Sequence, residues 1–139
     1  MIILDTNVLS EILRPAPNPD VIGWLSEQPR FALFTTSLTQ AELLHGVRRM
    51  PDGQRKAGLL DAIQGVFSDD LAGQVLSFDS DAADAYANIA ATRQAAGRPI
   101  SQFDAMIAAI TFSRGARLAT RNTKDFVDCG FAVIDPWAA

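Results

Sequence analysis

Short apolar runs alternate with longer segments of helical spacing along the whole chain, and this alternation limits the possible folds more than any other feature. The apolar runs have the length and residue types of strands, and they cover residues 2–4, 31–35, 74–78, 116–119 and 131–134. Strands that alternate with helices form parallel sheets with helices on both faces. We therefore predict an α/β fold around a central, mainly parallel sheet.

The helices between these strands are predicted from apolar residues at helical spacing and from residues that favour helix ends. Thr6 or Asn7 offers an N-cap for the first helix, and Ser37 and Ser101 offer caps for two later ones. The predicted helices cover residues 7–13, 20–28, 38–50, 54–68, about 80–96 and 101–115. A polar loop, Thr120–Asp125, follows the fourth strand.

The length and composition of the chain predict one domain, residues 1–139. Its 139 residues, 48% of them hydrophobic, are enough for one core. The sequence has no run of about 18 apolar residues that would predict a membrane span, and no basic leader typical of a secretory signal. Cys129 is the only cysteine, which makes the reducing cytoplasm the simplest location. His45 is the only histidine, so catalysis must depend on carboxylates and hydroxyls.

The net charge of −4 argues against a nucleic-acid substrate, because such binders are usually basic. Basic residues nevertheless cluster locally at two places in the sequence. One group is Arg48, Arg49, Arg55 and Lys56, and the other is Arg114, Arg117, Arg121 and Lys124. These clusters are either local phosphate-binding patches or ordinary solvated surfaces, and composition alone does not separate the two.

Four acidic residues fall where the carboxyl edge of the sheet is expected. Asp5 directly follows the first strand, Asp125 follows the fourth, Glu42 lies early in the helix after the second, and Asp104 lies in the first turn of its helix. Ligands of open α/β sheets bind beyond the carboxyl ends of the strands. We therefore expect the four acids at one rim, although each could also be a simple cap, turn or surface residue.

The surroundings of Asp5, Glu42 and Asp104 favour a metal site. Each lies among apolar residues that should be packed, and buried charges need a partner. Carboxylates gathered together repel one another and raise at least one pKa, and a divalent cation removes that repulsion. Ligands that are all oxygen favour Mg²⁺ or Mn²⁺ over zinc.

Three blocks of the sequence resemble PIN-domain toxin ribonucleases of the VapC family, most closely the FitB-like branch. The blocks are ILDTNVLSE at 3–11, SLTQAELLHG at 37–46, and FDAMIAAI with LATRNTKDF at 103–110 and 118–126. The resemblance extends over essentially the whole chain, including the closing DPW. It implies a three-layer α/β/α fold and Mg²⁺- or Mn²⁺-dependent RNA hydrolysis by the toxin component of a type II toxin–antitoxin system.

The same resemblance assigns site residues. Asp5, Glu42 and Asp104 match the invariant acids of the family motif, and Asp125 matches a fourth, less constant acid; all four are expected to be catalytic and to bind metal. Four further positions match polar residues near the site, namely Thr6, Asn7, Thr120 and Asn122. The hypothesis that follows is a metal-activated water that attacks an RNA phosphodiester in line.

The expected partners also follow from the resemblance. They are an RNA substrate, a cognate antitoxin that covers the site, and a second copy in a homodimer or larger toxin–antitoxin assembly, with DNA contacted only through the antitoxin. Arg121 and Lys124 are the first candidates for contact with RNA phosphates, and Arg48 and Arg49 are the next. Apolar residues of the helices at 7–13, 20–28 and 38–50 could form the protein interfaces.

Three other functions compete with this interpretation. A receiver-like signalling domain also groups acids at strand ends, binds Mg²⁺ and has a similar length, but it usually has an acidic pair after the first strand, where this chain has Asp5 alone. A structure-specific DNA nuclease of the flap type shares the acidic cluster but needs additional DNA-clamping elements. An inactive PIN scaffold used only for binding would not require intact acids.

Overall fold

The computed structural model describes all 139 residues as five strands and six α-helices. The strands are β1 (Ile2–Leu4), β2 (Leu33–Thr36), β3 (Val75–Leu76), β4 (Arg117–Ala119) and β5 (Val133–Ile134). The helices are α1 (Thr6–Ile12), α2 (Pro19–Glu27), α3 (Ser37–Arg48), α4 (Gln54–Gly65), α5 (Ser80–Ala95) and α6 (Gln102–Ser113). Short helical turns of other types occupy Arg30–Ala32, Val66–Asp70 and Thr123–Phe126.

The five strands form one parallel sheet in the order β3-β2-β1-β4-β5, with β1 at its centre. All three residues of β1 are buried, because the strand has neighbours on both edges and helices on both faces. Ile2 pairs with Leu33 of β2 and with Arg117 of β4. The parallel α/β sheet predicted from the sequence is confirmed.

Two hydrophobic clusters on the two faces of the sheet complete the three layers. Side chains of a strand alternate between faces, so Ile3 belongs to one cluster while Ile2 and Leu4 belong to the other. The Ile3 cluster joins α5 and α6 to the sheet and includes Ala82, Ile89, Ile107, Ile110 and Leu118. The other cluster joins α1 and α2 to the sheet and includes Val8, Leu9, Val21 and Trp24.

Three predicted strands extend two or more residues beyond the observed ones. The strand predicted over residues 131–134 is reduced to β5, because only Val133 and Ile134 pair with β4. The prediction of a strand over residues 31–35 is wrong at its start, because residues 30–32 form a helical turn in which the Phe31 side chain is 79% exposed. The central strand starts at Ile2, whose partner is Leu33, so residues before Leu33 have no strand to pair with. The predicted strand over residues 74–78 is reduced to β3, which pairs only with Thr35 and Thr36 at the sheet edge. The helix predicted over residues 54–68 also ends early, at Gly65, and a π-helical turn follows over Val66–Asp70.

Two predicted helix caps lie one or two positions too far along the chain. Asp5, rather than Thr6 or Asn7, caps α1, since its Oδ1 accepts the Thr6 N–H at 2.8 Å. Thr36, rather than Ser37, caps α3 through its Oγ1, which accepts the Thr39 N–H. Both strands pass directly into a helix with no loop, so the residue with extended backbone at the junction becomes the cap. The predicted Ser101 cap of α6 is confirmed.

The strand order reverses between β1 and β4, and this position determines where a ligand can bind. The chain proceeds from β1 outward through β2 to β3 on one side, and from β4 to β5 on the other. In open α/β sheets the crevice at such a switch point, beyond the carboxyl ends of the strands, is the usual binding site. The order also differs from the 2-1-3-4-5 order of receiver domains, which removes the receiver-like alternative.

None of the six helices has both the length and the apolar character that a membrane span requires.

Candidate active site

Asp5 lies at the switch point, directly beyond the carboxyl end of β1. Its backbone N–H donates to the carbonyl of Ala119 at 3.0 Å, which continues the pairing between β1 and β4. The residue is only 4% exposed. The sequence positions it there because a buried apolar strand precedes it and the first turn of α1 follows it immediately.

Hydrogen bonds from both sides of the switch point hold the Asp5 carboxylate. Oδ2 accepts the Thr120 hydroxyl at 2.8 Å and the Asn7 side-chain amide at 3.4 Å. The same Asn7 amide donates to Thr120 Oγ1 at 3.1 Å, and Asn7 Oδ1 accepts the Arg121 N–H at 3.1 Å. The loop after β4 is therefore fastened to the start of α1 around one fixed carboxylate.

Glu42 reaches the site from α3 and is oriented by a pair of threonines. Thr6 Oγ1 donates to Glu42 Oε1 at 2.9 Å. The Thr6 and Thr39 hydroxyl oxygens lie 3.0 Å apart, so that the start of α1 and the start of α3 share one hydrogen-bond network. Glu42 is half-buried, and one of its carboxylate oxygens has a fixed donor in the N-terminal turn of α1.

Asp104 reaches the site from the first turn of α6. Its backbone N–H donates to Ser101 Oγ at 3.3 Å, which fixes the start of the helix. The residues after Asp104 are almost continuously buried from Ala105 to Thr111, so α6 is anchored in the core and presents Asp104 at its exposed end. Asp104 itself is half-buried.

The electrostatics of the site show that the three carboxylates lie close enough to affect one another. Burial raises the pKa of Asp5 to about 6, against the opposing effect of the hydrogen bonds from Thr120 and Thr6, and the charges of Asp104 and Glu42 raise it further. Burial likewise raises the pKa of Glu42, and the charge of Asp104 adds to this shift. The pKa of Asp104 is raised by burial and by the charge of Asp125. A group of acids that resist ionisation together is typical of a functional site.

The three acids line one cleft of about 470 Å³, which we call the acid cleft. Seven residues proposed from the sequence line it, and they are Asp5, Thr6, Asn7, Glu42, Asp104, Arg121 and Asn122. Thr120 is fully buried behind Asp5 and holds it by the hydrogen bond described above. The topological argument that the strand ends bring these distant segments together is therefore supported by the geometry.

The remaining proposed residues lie outside the lining of the acid cleft. Asp125 is half-buried in the turn after β4, where its charge still affects the pKa of Asp104. Lys124, on the same turn, is exposed. Arg48 and Arg49 are exposed at the C-terminal end of α3, about 9 Å along the helix axis from Glu42.

Sequence reasoning missed several residues of the acid cleft. Ser10, Glu11 and Arg14 line it from α1 and its end, and Trp137 lines it from the C-terminal segment. Helical spacing offered a signal for the first three, because residues three and four apart share a face, and Asn7, Ser10, Glu11 and Arg14 follow that pattern. No signal in the sequence placed Trp137 beside residues more than a hundred positions away.

The donor atoms of the acid cleft suit a hard divalent cation. Carboxylate, hydroxyl and amide oxygens surround it, with no thiol or imidazole among the lining residues. No group of three or more acidic, histidine or cysteine side chains is arranged to hold an ion by itself. Mg²⁺ is commonly bound by one or two carboxylates and keeps several waters, so this donor set fits Mg²⁺ or Mn²⁺ with part of the coordination shell left to solvent or substrate.

A second concavity of about 610 Å³, which we call the apolar groove, lies between α1, α3 and α4. Its apolar lining includes Leu13, Leu43, Val47, Met50, Leu59 and Ile63. It shares Thr6, Ser10, Arg14 and Glu42 with the acid cleft, so the two depressions adjoin along α1 and at Glu42 of α3.

Comparison with known proteins gives consistent matches over nearly the full length. The family model of the PIN domain matches residues 2–131. A protein of Sinorhizobium fredii named VapC ribonuclease Y4jK is 38% identical over 99% of this chain and 98% of its own length. Toxin FitB of Neisseria gonorrhoeae is 36% identical over 99% of both chains. The solved structure of FitAB bound to an IR36 DNA fragment is 36% identical, with a TM-score of 0.92 over 99% of this chain and 96% of that one.

Proposed function

The chain belongs to the PIN-domain family, and from this premise we propose that it is an endoribonuclease, the toxin of a type II toxin–antitoxin pair, which hydrolyses RNA phosphodiester bonds at the acid cleft. The observation that carries the proposal is the convergence of Asp5, Glu42 and Asp104 in one cleft at the switch point of the sheet. The names of the relatives support the substrate class, since one is a ribonuclease and another a toxin.

We propose Mg²⁺ or Mn²⁺ as the cofactor, held by Asp5, Glu42 and Asp104, with Asp125 as a conditional fourth acid. When bound, such a cation supplies positive charge at the phosphate oxygens and makes a nearby water more acidic. The raised pKa values of the three acids support this assignment, because a cation would offset the burial and, to a smaller extent, the mutual repulsion that raise them.

The residues of the chain have separate tasks in this proposal. Asp5, with a pKa of about 6, is mostly ionised at neutral pH and is held in place by Thr120 and Thr6. Thr6 also orients the Glu42 carboxylate, so one threonine sets the relation between two acids. Glu42 from α3 and Asp104 from α6, both half-buried, complete the set of acids that would hold the cation.

The direct test is cleavage of a single-stranded RNA and of the DNA of the same sequence by the purified protein, in Mg²⁺ and in EDTA. We expect cleavage of RNA only, and only with the cation. Asp5→Asn should reduce the rate by about 100-fold or more, because a charged carboxylate that would hold the cation is lost. The matched control is Asp84→Asn, an exposed acid on α5. Cleavage of the DNA at the same rate would favour the DNA-nuclease alternative, and an Asp5→Asn variant of undiminished rate would contradict the site.

We also propose that an antitoxin segment occupies the apolar groove and extends into the acid cleft. The adjacency of the two depressions supports this, as does the similarity to the structure of FitAB bound to DNA. We expect this chain to contact DNA only through its antitoxin. Leu59→Glu should abolish co-purification with a co-expressed cognate antitoxin while leaving RNA cleavage intact. Retention of the antitoxin by this variant would contradict the location.

We further propose that the chain acts in the cytoplasm as a homodimer or as part of a larger toxin–antitoxin assembly. Light scattering of the purified toxin should give a mass near twice that of the 139-residue chain. A concentration-independent monomer mass would contradict the dimer.

A further inference from the structure

A guanidinium stacked on an indole forms part of the acid cleft and has no role in the proposed cation site. Arg121 Cζ lies 5.1 Å from the centre of the Trp137 ring. Both side chains line the acid cleft together with the three carboxylates. Arg121 is exposed and forms no salt bridge, and its guanidinium lies against the ring.

The stacked pair is held in position relative to the acids. The Arg121 N–H donates to Asn7 Oδ1 at 3.1 Å, and the Asn7 amide in turn contacts the Asp5 carboxylate. The backbone N–H of Trp137 donates to Asp135 Oδ1 at 2.9 Å, which fixes the turn after β5. Part of the indole packs against the cluster of β1 and α1, and the rest remains accessible. The two hydrogen bonds thus position the backbone that carries each side chain of the pair beside the acids.

Arg121 differs from the other arginine of the acid cleft, Arg14, whose charge is neutralised by Glu11. Arg14 Nη1 donates to both carboxylate oxygens of Glu11 at 3.2 Å. The Asn18 N–H, which donates to Glu11, is the main reason why the pKa of that carboxyl is lowered, so Glu11 is charged and pairs with Arg14 at neutral pH. Arg121 is therefore the cleft cation that is not engaged in a salt bridge.

We propose that the Arg121–Trp137 pair is a nucleotide subsite, in which an unpaired base next to the scissile phosphate stacks on the pair and Arg121 neutralises the adjoining phosphate. This inference rests on the proposed function. It adds that the RNA cleaved at the acid cleft must be single-stranded there. Unstacked bases bind to aromatic rings and to the planes of arginine guanidinium groups, whereas bases within a duplex are stacked on their neighbours.

The test uses the fluorescence of Trp137 in a Trp24→Phe, Asp104→Asn variant, which has one tryptophan and should not cleave. The probes are an eight-nucleotide oligoadenylate RNA, an abasic ribose-phosphate chain of the same length, and an eight-base-pair RNA duplex, all in Mg²⁺. We expect oligoadenylate to quench the emission and to bind about 5- to 100-fold more tightly than the abasic chain, as a stacked base requires. The duplex should not quench.

Variants separate stacking from a purely structural role of the indole. Trp137→Leu keeps an apolar side chain against the core and should lower the affinity for oligoadenylate to that for the abasic chain, measured with a labelled oligonucleotide. Phe31→Leu, which removes an exposed aromatic away from the cleft, should leave the affinity unchanged. Equal quenching by the base-containing and abasic chains, or unchanged affinity of Trp137→Leu, would overturn the proposal.

The proposed function can fail separately from this subsite. Quenching by oligoadenylate in a protein whose native form does not cleave RNA would support the subsite and contradict the ribonuclease activity. Cleavage of RNA by the native form without any base-dependent quenching would support the activity and overturn the subsite.

Discussion

At the scale of single residues, Asp5 has two functions that the sequence shows only in part. The carboxylate caps α1 through Oδ1, accepts hydrogen bonds from Thr120 and Asn7 at Oδ2, and lines the acid cleft. Its position directly after an apolar run predicted an acid of the candidate metal site, and the simpler alternative was a helix cap. The structure shows the cap and places the residue in the lining of the acid cleft, because a carboxylate at a strand–helix junction has one oxygen for the helix end and a second for other donors.

Asp5 should make the metal-free protein less stable as the pH rises. Its pKa is raised from 3.8 to about 6, so the folded state binds the proton more tightly than the unfolded state. The stabilising effect of the neutral carboxyl is complete below about pH 4 and is lost as the pH rises to about 6. Asp5→Asn should therefore raise the free energy of unfolding by about 1 to 3 kcal/mol at pH 7.5 in EDTA, but not at pH 4.

Urea denaturation at the two pH values measures this effect. Asp84→Asn, on an exposed part of α5, provides the control and should change the stability little at either pH. An Asp5→Asn effect of the same size at pH 4 and pH 7.5 would show that burial does not hold the proton on this carboxyl.

The Thr6 hydroxyl is expected to control the protonation of Glu42. Its donation to Glu42 Oε1 at 2.9 Å opposes the rise in the pKa of Glu42 caused by burial. Thr6→Val should therefore raise that pKa, move the acidic limb of the pH–rate profile to higher pH, and cost about 1 kcal/mol of stability. Thr6→Ser keeps the hydroxyl and should behave as the native protein. A Thr6→Val profile that coincides with the native one would contradict this assignment.

At the scale of elements, the sequence predicted which segments are helices and strands better than where they begin. Apolar periodicity revealed all five strands and six helices, because it reflects burial. It misplaced the caps at Asp5 and Thr36, because a strand that enters a helix without a loop leaves no polar linker to indicate the junction. It extended β2 to residue 31, because pairing with a neighbour, rather than the apolar run FALF, determines where a strand starts.

Arg93 illustrates an element-level contact that the sequence does not reveal. The residue is 7% exposed near the end of α5. Its Nη1 donates to the carbonyls of Asp125 and Val127, each at 3.1 Å, and its Nε donates to the carbonyl of Arg98 at 2.8 Å. A buried arginine thus ties α5 to the loop that carries Asp125.

Replacement of Arg93 by methionine should destabilise the protein by about 2 to 4 kcal/mol, because buried carbonyls lose their donor. Hydrogen exchange of the amides in residues 125–129 should accelerate more than that of β1. Arg117→Met, at an exposed position, is the control and should change the stability by less than about 0.5 kcal/mol. Unaltered exchange in that loop after Arg93→Met would contradict the role of the arginine.

At the scale of the whole molecule, the fold and three acids of the acid cleft could be predicted because they depend on strand order and chain position. The parallel sheet brings residues 5, 42 and 104 together at its carboxyl edge. The contribution of Trp137 could not be predicted, since it depends on how the last turn after β5 folds over the start of α1. Arg48 and Arg49 were candidates for contact with RNA phosphates because of their charge alone. The rise of α3 along its axis places them about 9 Å beyond Glu42.

The net charge of −4 makes local basic residues decisive for binding to RNA. If Arg121 neutralises one phosphate, Arg121→Met should reduce the slope of the logarithm of the binding constant against the logarithm of the salt concentration by about 0.7, the value per phosphate for single strands. The measurement is oligonucleotide binding to Asp104→Asn protein at several salt concentrations. Arg117→Met should leave the slope unchanged, and an unchanged slope for Arg121→Met would exclude a phosphate contact.

The most direct test of the central claim, that the acid cleft cleaves RNA, is to map new RNA 5′ ends in cells that express the native chain, Asp104→Asn or Asp84→Asn. We predict growth arrest and the same discrete set of RNA cuts with the native chain and with Asp84→Asn, and neither effect with Asp104→Asn at equal protein level. The same cuts in cells that express Asp104→Asn would contradict the claim.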